Sequence, residues 1–114
     1  CKLFIATSGK RELVQTQIDK FSLNKYITDM TCLYETAPKP SKEPIEYLVN
    51  KHELDKSKTI MVGDSEVDAN SAYNANLPFV LVKDGYTEKS EKEINHDELI
   101  SDFIGFEKII EKYL

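Results

Sequence analysis

Three short apolar runs punctuate the chain: Lys2-Leu3-Phe4-Ile5-Ala6-Thr7, Lys58-Thr59-Ile60-Met61-Val62-Gly63 and Pro78-Phe79-Val80-Leu81-Val82-Lys83. Each is nearly continuous rather than alternating, the pattern of a parallel strand covered on both faces. Between them the period changes to that of a helix. Val14, Ile18 and Phe21 recur at i, i+4, i+7, and Ile45, Leu48, Val49 and His52 at i, i+3, i+4, i+7. After Gly63 a third helical pattern has Ala69, Ala72, Tyr73 and Ala75 available for packing. It stops at Asn76, a residue that tolerates the left-handed conformation, and Pro78 just beyond prevents continuation. Thr31-Cys32-Leu33-Tyr34 reads as a further brief strand and Phe103-Ile104 as the last one, followed by a helix with Phe106, Ile109, Ile110 and Tyr113 on one face.

Strands alternating with helices predict an α/β fold, a doubly wound, Rossmann-like three-layer sandwich with a mainly parallel sheet. No internal repeat and no domain boundary interrupts residues 1–114, and only the charged stretch from Asp84 to Glu98 reads as loosely ordered. Right-handed crossovers bring the C-terminal ends of the main strands to one edge of the sheet, where the chemistry is expected.

Composition narrows the classes. The chain has 114 residues, 40% apolar and 31% charged, as one soluble globular domain would have. No run approaches the roughly 18 apolar residues of a membrane span, and the opening Cys-Lys-Leu-Phe lacks the basic start of a signal peptide. We therefore expect no membrane association and a cytoplasmic protein. The net charge of -5, with lysines scattered among acids, disfavours nucleic acid and favours a small ligand. Cys1 and Cys32 can build neither a disulfide framework nor a zinc site, and read as reduced structural thiols.

Candidate chemistry stands at the predicted strand ends. The first strand runs into Thr7-Ser8-Gly9-Lys10, where backbone amides and a helix dipole favour an anion such as phosphate; equally, Thr7 or Ser8 caps the helix that follows. Ala37-Pro38-Lys39-Pro40-Ser41-Lys42-Glu43-Pro44 holds three of the four prolines. They limit the backbone around Lys39, so its ammonium is either a fixed counter-charge for phosphate or an ordinary solvated lysine. In Val62-Gly63-Asp64-Ser65-Glu66-Val67-Asp68 two carboxylates four apart fall on one side of a helical turn, a spacing that suits magnesium. Ser65 with Asp68 also fits a capping box, and the two readings can coexist.

In that order, Ala6-Thr7-Ser8-Gly9-Lys10, Lys39-Pro40-Ser41-Lys42-Glu43-Pro44 and Val62-Gly63-Asp64-Ser65-Glu66-Val67-Asp68 resemble motifs two, three and four of the haloacid dehalogenase superfamily, particularly its phosphoglycolate-phosphatase-like branch. The resemblance covers essentially the whole chain. It implies a magnesium-dependent phosphatase of a small phosphorylated metabolite, working through a phosphoaspartyl intermediate in the complete protein. Thr7, with backbone amides near Ser8 and Gly9, would bind the phosphoryl oxygens, and Lys39 would stabilise charge on nucleophile and phosphate. Asp64 would hold Mg2+, with Asp68 supporting the metal or anchoring Lys39. Ser8 stands where the family usually has Asn, and Asn76 where it often has Gly.

The first motif, an Asp-x-Asp on the central strand, has no counterpart, and neither has the helical cap. By the resemblance the absent strand belongs between the Lys2–Thr7 and Lys58–Gly63 strands, leaving them about 10 Å apart at a strand spacing of about 4.8 Å. We expect an N-terminal segment, or another chain, to complete the sheet, and little hydrolysis by residues 1–114 alone. A non-catalytic phosphate-binding or regulatory module is the alternative. A phospho-receiver domain fits poorly, because its acidic residues should precede its Thr and Lys. His52 reads as packed rather than catalytic, His96 has no evident partner, and Asp84, Gly85 and Tyr86 read as turn chemistry after a strand.

Overall fold

The computed structural model describes residues 1–83 and 90–113; Asp84, Gly85 and Tyr86 fall outside the described residues. Strand β1 (Leu3–Ala6) pairs in parallel with β2 (Ile27–Thr31), the two joined by helix α1 (Arg11–Lys20). Helix α2 (Glu43–Lys51) leads to a second parallel sheet, in which β3 (Met61–Gly63), β4 (Phe79–Val82) and β5 (Glu98–Ile100) lie in the order β3-β4-β5. Helix α3 (Glu66–Asn74) connects β3 to β4, and α4 (Phe106–Tyr113) follows β5. Ala6 stands beside Thr31, Gly63 beside Leu81 and Val82 beside Ile100, so strand ends are level within each sheet. This is the predicted α/β architecture, divided into two sheets.

Burial follows the pairing. Strand β4, flanked on both sides, carries Phe79, Val80 and Leu81 almost free of solvent contact, whereas Leu3 of β1 is 50% exposed and Val62 of β3 is 36% exposed. Among the described residues those two strands each have one paired edge and one open edge. Helix α2 ties the sheets together. Its Ile45 and Val49 pack with Ala75 and Leu77, with Met61 of β3 against the same cluster, while the Thr31 hydroxyl at the end of β2 donates to the carbonyl of Pro44 at 3.2 Å.

Several expected boundaries move. The second strand is Ile27–Thr31 rather than Thr31–Tyr34, because pairing with β1 overrides the polar Thr28 and Asp29, and Tyr34 turns the chain at φ 68°. The last strand is Glu98–Ile100, not Phe103-Ile104, which stand 58% and 89% exposed. Its place is set by the edge of β4: the Phe79 amide donates to the Asp97 carboxylate at 2.8 Å and the Asp97 amide to the Phe79 carbonyl at 2.9 Å. Residues Lys56–Lys58 form a 3-10 turn capped by Asp55, so strand geometry begins only at Met61. Phe21 and Tyr73 are exposed instead of packed, since α1 and α3 bury narrow faces centred on Ile18 and on Ala69, Ser71 and Ala72. Asn76 does take the left-handed conformation, at φ 59°.

His52 is packed as expected. Its ring lies 5.0 Å from that of Phe4, and its Nε2 is 2.8 Å from Asp29 Oδ2, which also receives Lys51 Nζ at 2.8 Å. The hydrogen bonds from Lys51 first, then His52, hold the Asp29 carboxyl well below the usual carboxylate range. A carboxyl whose pKa is depressed on folding adds stability above its unfolded pKa of about 3.9 and loses it as the pH falls. Stability should therefore decline progressively below about pH 5. Asp29→Asn is expected to lower the unfolding free energy at pH 7 by about 1–3 kcal/mol and to flatten the acid limb. Urea unfolding from pH 7 to pH 2 checks this, and parallel pH profiles for the two proteins contradict it.

Candidate active site

Lys39 lies in a tight turn in which the Ser41 amide donates to the Pro38 carbonyl at 3.0 Å and the Lys39-Pro40 bond is cis. Its side chain is 13% exposed, so the reading as a solvated lysine does not hold. The ammonium donates to the Ala6 carbonyl at 3.2 Å and to Asp68 Oδ1 at 2.5 Å. Ala6 ends β1, and Asp68 sits in the first turn of α3, just after β3. One cation thus reaches the C-terminal ends of both sheets.

Asp68 is bound on every side. Its Oδ2 accepts the Asp64 amide at 3.3 Å and the Ser65 hydroxyl at 3.1 Å, and its own amide donates to Ser65 Oγ at 3.2 Å. Ser65 is therefore the cap of α3 that the spacing suggests, and Asp68 completes a reciprocal cap while pairing with Lys39. The carboxylate lies against Gly63: a Cβ there would come within 2.6 Å of Asp68 Cβ and Oδ2. Only glycine lets the strand end approach the helix this closely.

The Thr7 turn behaves differently from expectation. Helix α1 begins at Arg11 with Lys10 as its cap and no side-chain cap bond, so neither Thr7 nor Ser8 caps it. Thr7 Oγ1 instead accepts the Gly9 amide at 3.1 Å, and the Thr7 amide donates to the Thr31 carbonyl at 3.0 Å. The Gly9 amide is thereby already engaged, while the Thr7 hydroxyl, acting as acceptor, keeps its own proton to donate. Ser8 is exposed. The Leu33 amide joins this turn to the loop after β2 by donating to the Gly9 carbonyl at 2.9 Å.

Asp64, half-buried at the end of β3, stands beside this constellation in the chain. Among the described residues no three His, Cys, Asp or Glu side chains converge as a metal cage. Asp64 still suits magnesium, which commonly takes one or two carboxylates and completes its shell with water and phosphate oxygens, whereas both oxygens of Asp68 are engaged. Hard oxygen is the right donor type, and the set is partial.

Two groups of contacts were not legible in the residues. Arg11 forms a two-point bond with Glu35, each contact 2.7 Å, and also donates to the Met30 carbonyl, which stiffens the loop after β2. Along α3, the Ser71 hydroxyl donates to the Ser41 carbonyl at 2.7 Å and Asn74 Nδ2 to the Pro40 carbonyl at 2.9 Å. A serine among Ala69, Ala72 and Ala75 was the one available signal. Cys1 and Cys32 are both unpaired thiols, and burial pushes that of Cys32 up. No helix among the described residues is long and apolar enough to cross a membrane.

Comparison with known proteins gives the same grouping. Residues 1–82 match the family model described as haloacid dehalogenase-like hydrolase. A phosphoglycolate phosphatase of Agrobacterium fabrum is 33% identical over 96% of this chain and 50% of its own length, and one of Caulobacter vibrioides is 31% identical over 94% and 46%. A crystal structure described as a predicted phosphoglycolate phosphatase from Haemophilus somnus superposes with a TM-score of 0.87 at 25% identity, over 95% of this chain and 49% of that one. The chain thus spans about half the length of the relatives it matches. The motif order, the parallel topology and the match over most of the chain agree that it belongs to the haloacid dehalogenase-like hydrolase family.

Proposed function

We propose that residues 1–114 form the C-terminal part of the core of a magnesium-dependent phosphatase acting on a small phosphorylated metabolite. The observation that carries this reading is the Lys39 ammonium, held between the Ala6 carbonyl and Asp68 where the ends of two sheets with open edges come together. A phosphoryl group bound there meets the Thr7 hydroxyl as a donor and Lys39 as a fixed positive charge, arranged before reaction so that developing charge needs little reorganisation. Asp64 is the carboxylate we assign to Mg2+, and Asp68, with both oxygens already engaged, is assigned to positioning Lys39. The metal would neutralise and orient phosphoryl oxygens.

The reaction we infer is transfer of the phosphoryl group to an aspartate followed by hydrolysis. None of the assigned residues is that nucleophile; on this reading a strand from outside residues 1–114, of this protein or another chain, carries it and pairs with β1 and β3. An open strand edge favours such pairing, since its amides and carbonyls lack partners. We place the protein in the cytoplasm, in keeping with its free thiols. Phosphoglycolate, in the names of the Agrobacterium and Caulobacter relatives, is the first substrate to test.

The test supplies an Asp-x-Asp strand to the chain and measures release of phosphate from phosphoglycolate and p-nitrophenyl phosphate. Hydrolysis should depend on magnesium and fall at least about 100-fold in Asp64→Asn. Phosphate binding with no turnover in the completed sheet would instead identify a binding module and overturn the enzymatic reading.

A further inference from the structure

We infer that Ser71 and Asn74 are positioning residues for Lys39, forming with Asp68 a three-point clamp by which a single helix sets the place of the cation. The inference rests on the proposed role of Lys39 and adds to it the residues that hold the lysine loop. Asp68, Ser71 and Asn74 follow one another at three-residue intervals along α3. Asp68 takes the ammonium itself, Ser71 takes the Ser41 carbonyl at 2.7 Å, and Asn74 takes the Pro40 carbonyl at 2.9 Å. The two carbonyls belong to the residues directly after Lys39, so charge partner and backbone anchors move as one rigid element.

Ser71 has no solvent exposure, and it interrupts a helix face otherwise made of Ala69, Ala72 and Ala75. Burying a hydroxyl among methyl groups is unfavourable unless it is hydrogen-bonded. Its partner here is the lysine loop, thirty residues away in the chain. Asn74 is exposed and makes no contribution to the apolar clusters, yet its amide reaches thirty-four residues back to the same loop. Stabilisation of the core explains neither side chain. The loop gains from both: proline-rich backbone limits its freedom, and two bonds to α3 decide where the remaining freedom is used. Effective charge stabilisation requires the cation to be in place before the phosphoryl group arrives.

The experiment labels surface amines of the full chain with acetic anhydride and reads Lys39 and Lys51 separately by mass spectrometry. Lys51, paired with Asp29 of β2 at 2.8 Å, is the internal control. Asn74→Asp keeps the shape and removes the donor; Ser71→Ala removes the hydroxyl; Asn70→Ala alters an exposed position on the same helix. Labelling of Lys39 should rise about fivefold in the first two, the population change expected from losing one ordinary hydrogen bond, with Lys51 unchanged and the Asn74→Asp chain still folded. Asn70→Ala should match the native chain. In the strand-completed protein the first two variants should lower kcat and spare KM.

Unchanged Lys39 labelling in a folded Asn74→Asp chain overturns the clamp, whatever the hydrolysis assay gives. A separate variant, Lys39→Met, that retains full hydrolysis overturns the catalytic role of the lysine and leaves the labelling result standing. The two failures are thus distinguishable.

Discussion

Lys39→Met is expected to reduce magnesium-dependent hydrolysis by the strand-completed protein by roughly two to three orders of magnitude, the usual effect of removing one preorganised group that stabilises developing charge. Methionine retains the length and apolar stem of lysine and loses the ammonium. The loss is large because the ammonium is poorly hydrated, 13% exposed, and already oriented by the Ala6 carbonyl and Asp68. A second cost accompanies it: Asp68, 12% exposed, is left with an uncompensated charge. Removing one partner of a buried pair commonly destabilises by about 3–5 kcal/mol, although the Asp64 amide and Ser65 hydroxyl on Oδ2 will moderate that value here. The double variant Lys39→Met/Asp68→Asn separates the two effects. It should recover much of the stability and none of the hydrolysis, as read by urea unfolding and phosphate release. Recovery of activity with stability would mean that Lys39 serves only the fold.

Gly63→Ala is expected to be the most damaging one-methyl change in the site. The added Cβ would stand 2.6 Å from both Asp68 Cβ and Asp68 Oδ2, closer than such atoms are found. Relief requires α3 to move away from β3 or the carboxylate to rotate. The first disturbs Ala69 and Ala72, packed with Phe79, Leu81 and Ile94; the second breaks the bonds to Lys39, the Asp64 amide and Ser65. Overpacking of this kind costs about 1–3 kcal/mol. Stability measured by urea unfolding should fall by that amount, and Lys39 should become more open to acetylation. By contrast, the methyl group of a Gly105→Ala variant would meet nothing within 4 Å, and its cost would come from the backbone, at φ 75°. An unaltered unfolding midpoint and unaltered Lys39 labelling in Gly63→Ala would show that the site relaxes without these contacts.

Much of this site was readable in the residues because its parts are local. Ser65 and Asp68 form a cap within one helical turn, and Asn76 followed by Pro78 ends α3 where predicted. The near-continuous apolar run of β4 marks a strand covered on both faces and paired on both edges. Strands β2 and β5 were misplaced for the opposite reason: Ile-Thr-Asp-Met-Thr and Glu-Leu-Ile have weak patterns of their own and take their positions from neighbours already in the sheet. The exposed Phe103 and Ile104 show the converse, an apolar pair that joins no strand, although the Phe103 ring meets that of Phe106 at 5.3 Å.

The chain by itself determined which elements alternate, which residue types stand at the strand ends, and the family those residues belong to. Periodicity, capping and motif order act over a few residues, so they leave marks that survive without coordinates. Only the tertiary structure decided that Lys39 joins the ends of β1 and α3, that Thr7 holds Gly9 in place of capping a helix, and that Ser71 and Asn74 grip the loop after Lys39. Those contacts, apart from the short Thr7 turn, link residues about thirty positions apart, and their energies depend on close approach through the packing of sheets and helices. Sequence spacing carries no record of such distances, because folding, and not the chain order, brings the groups within reach of one another.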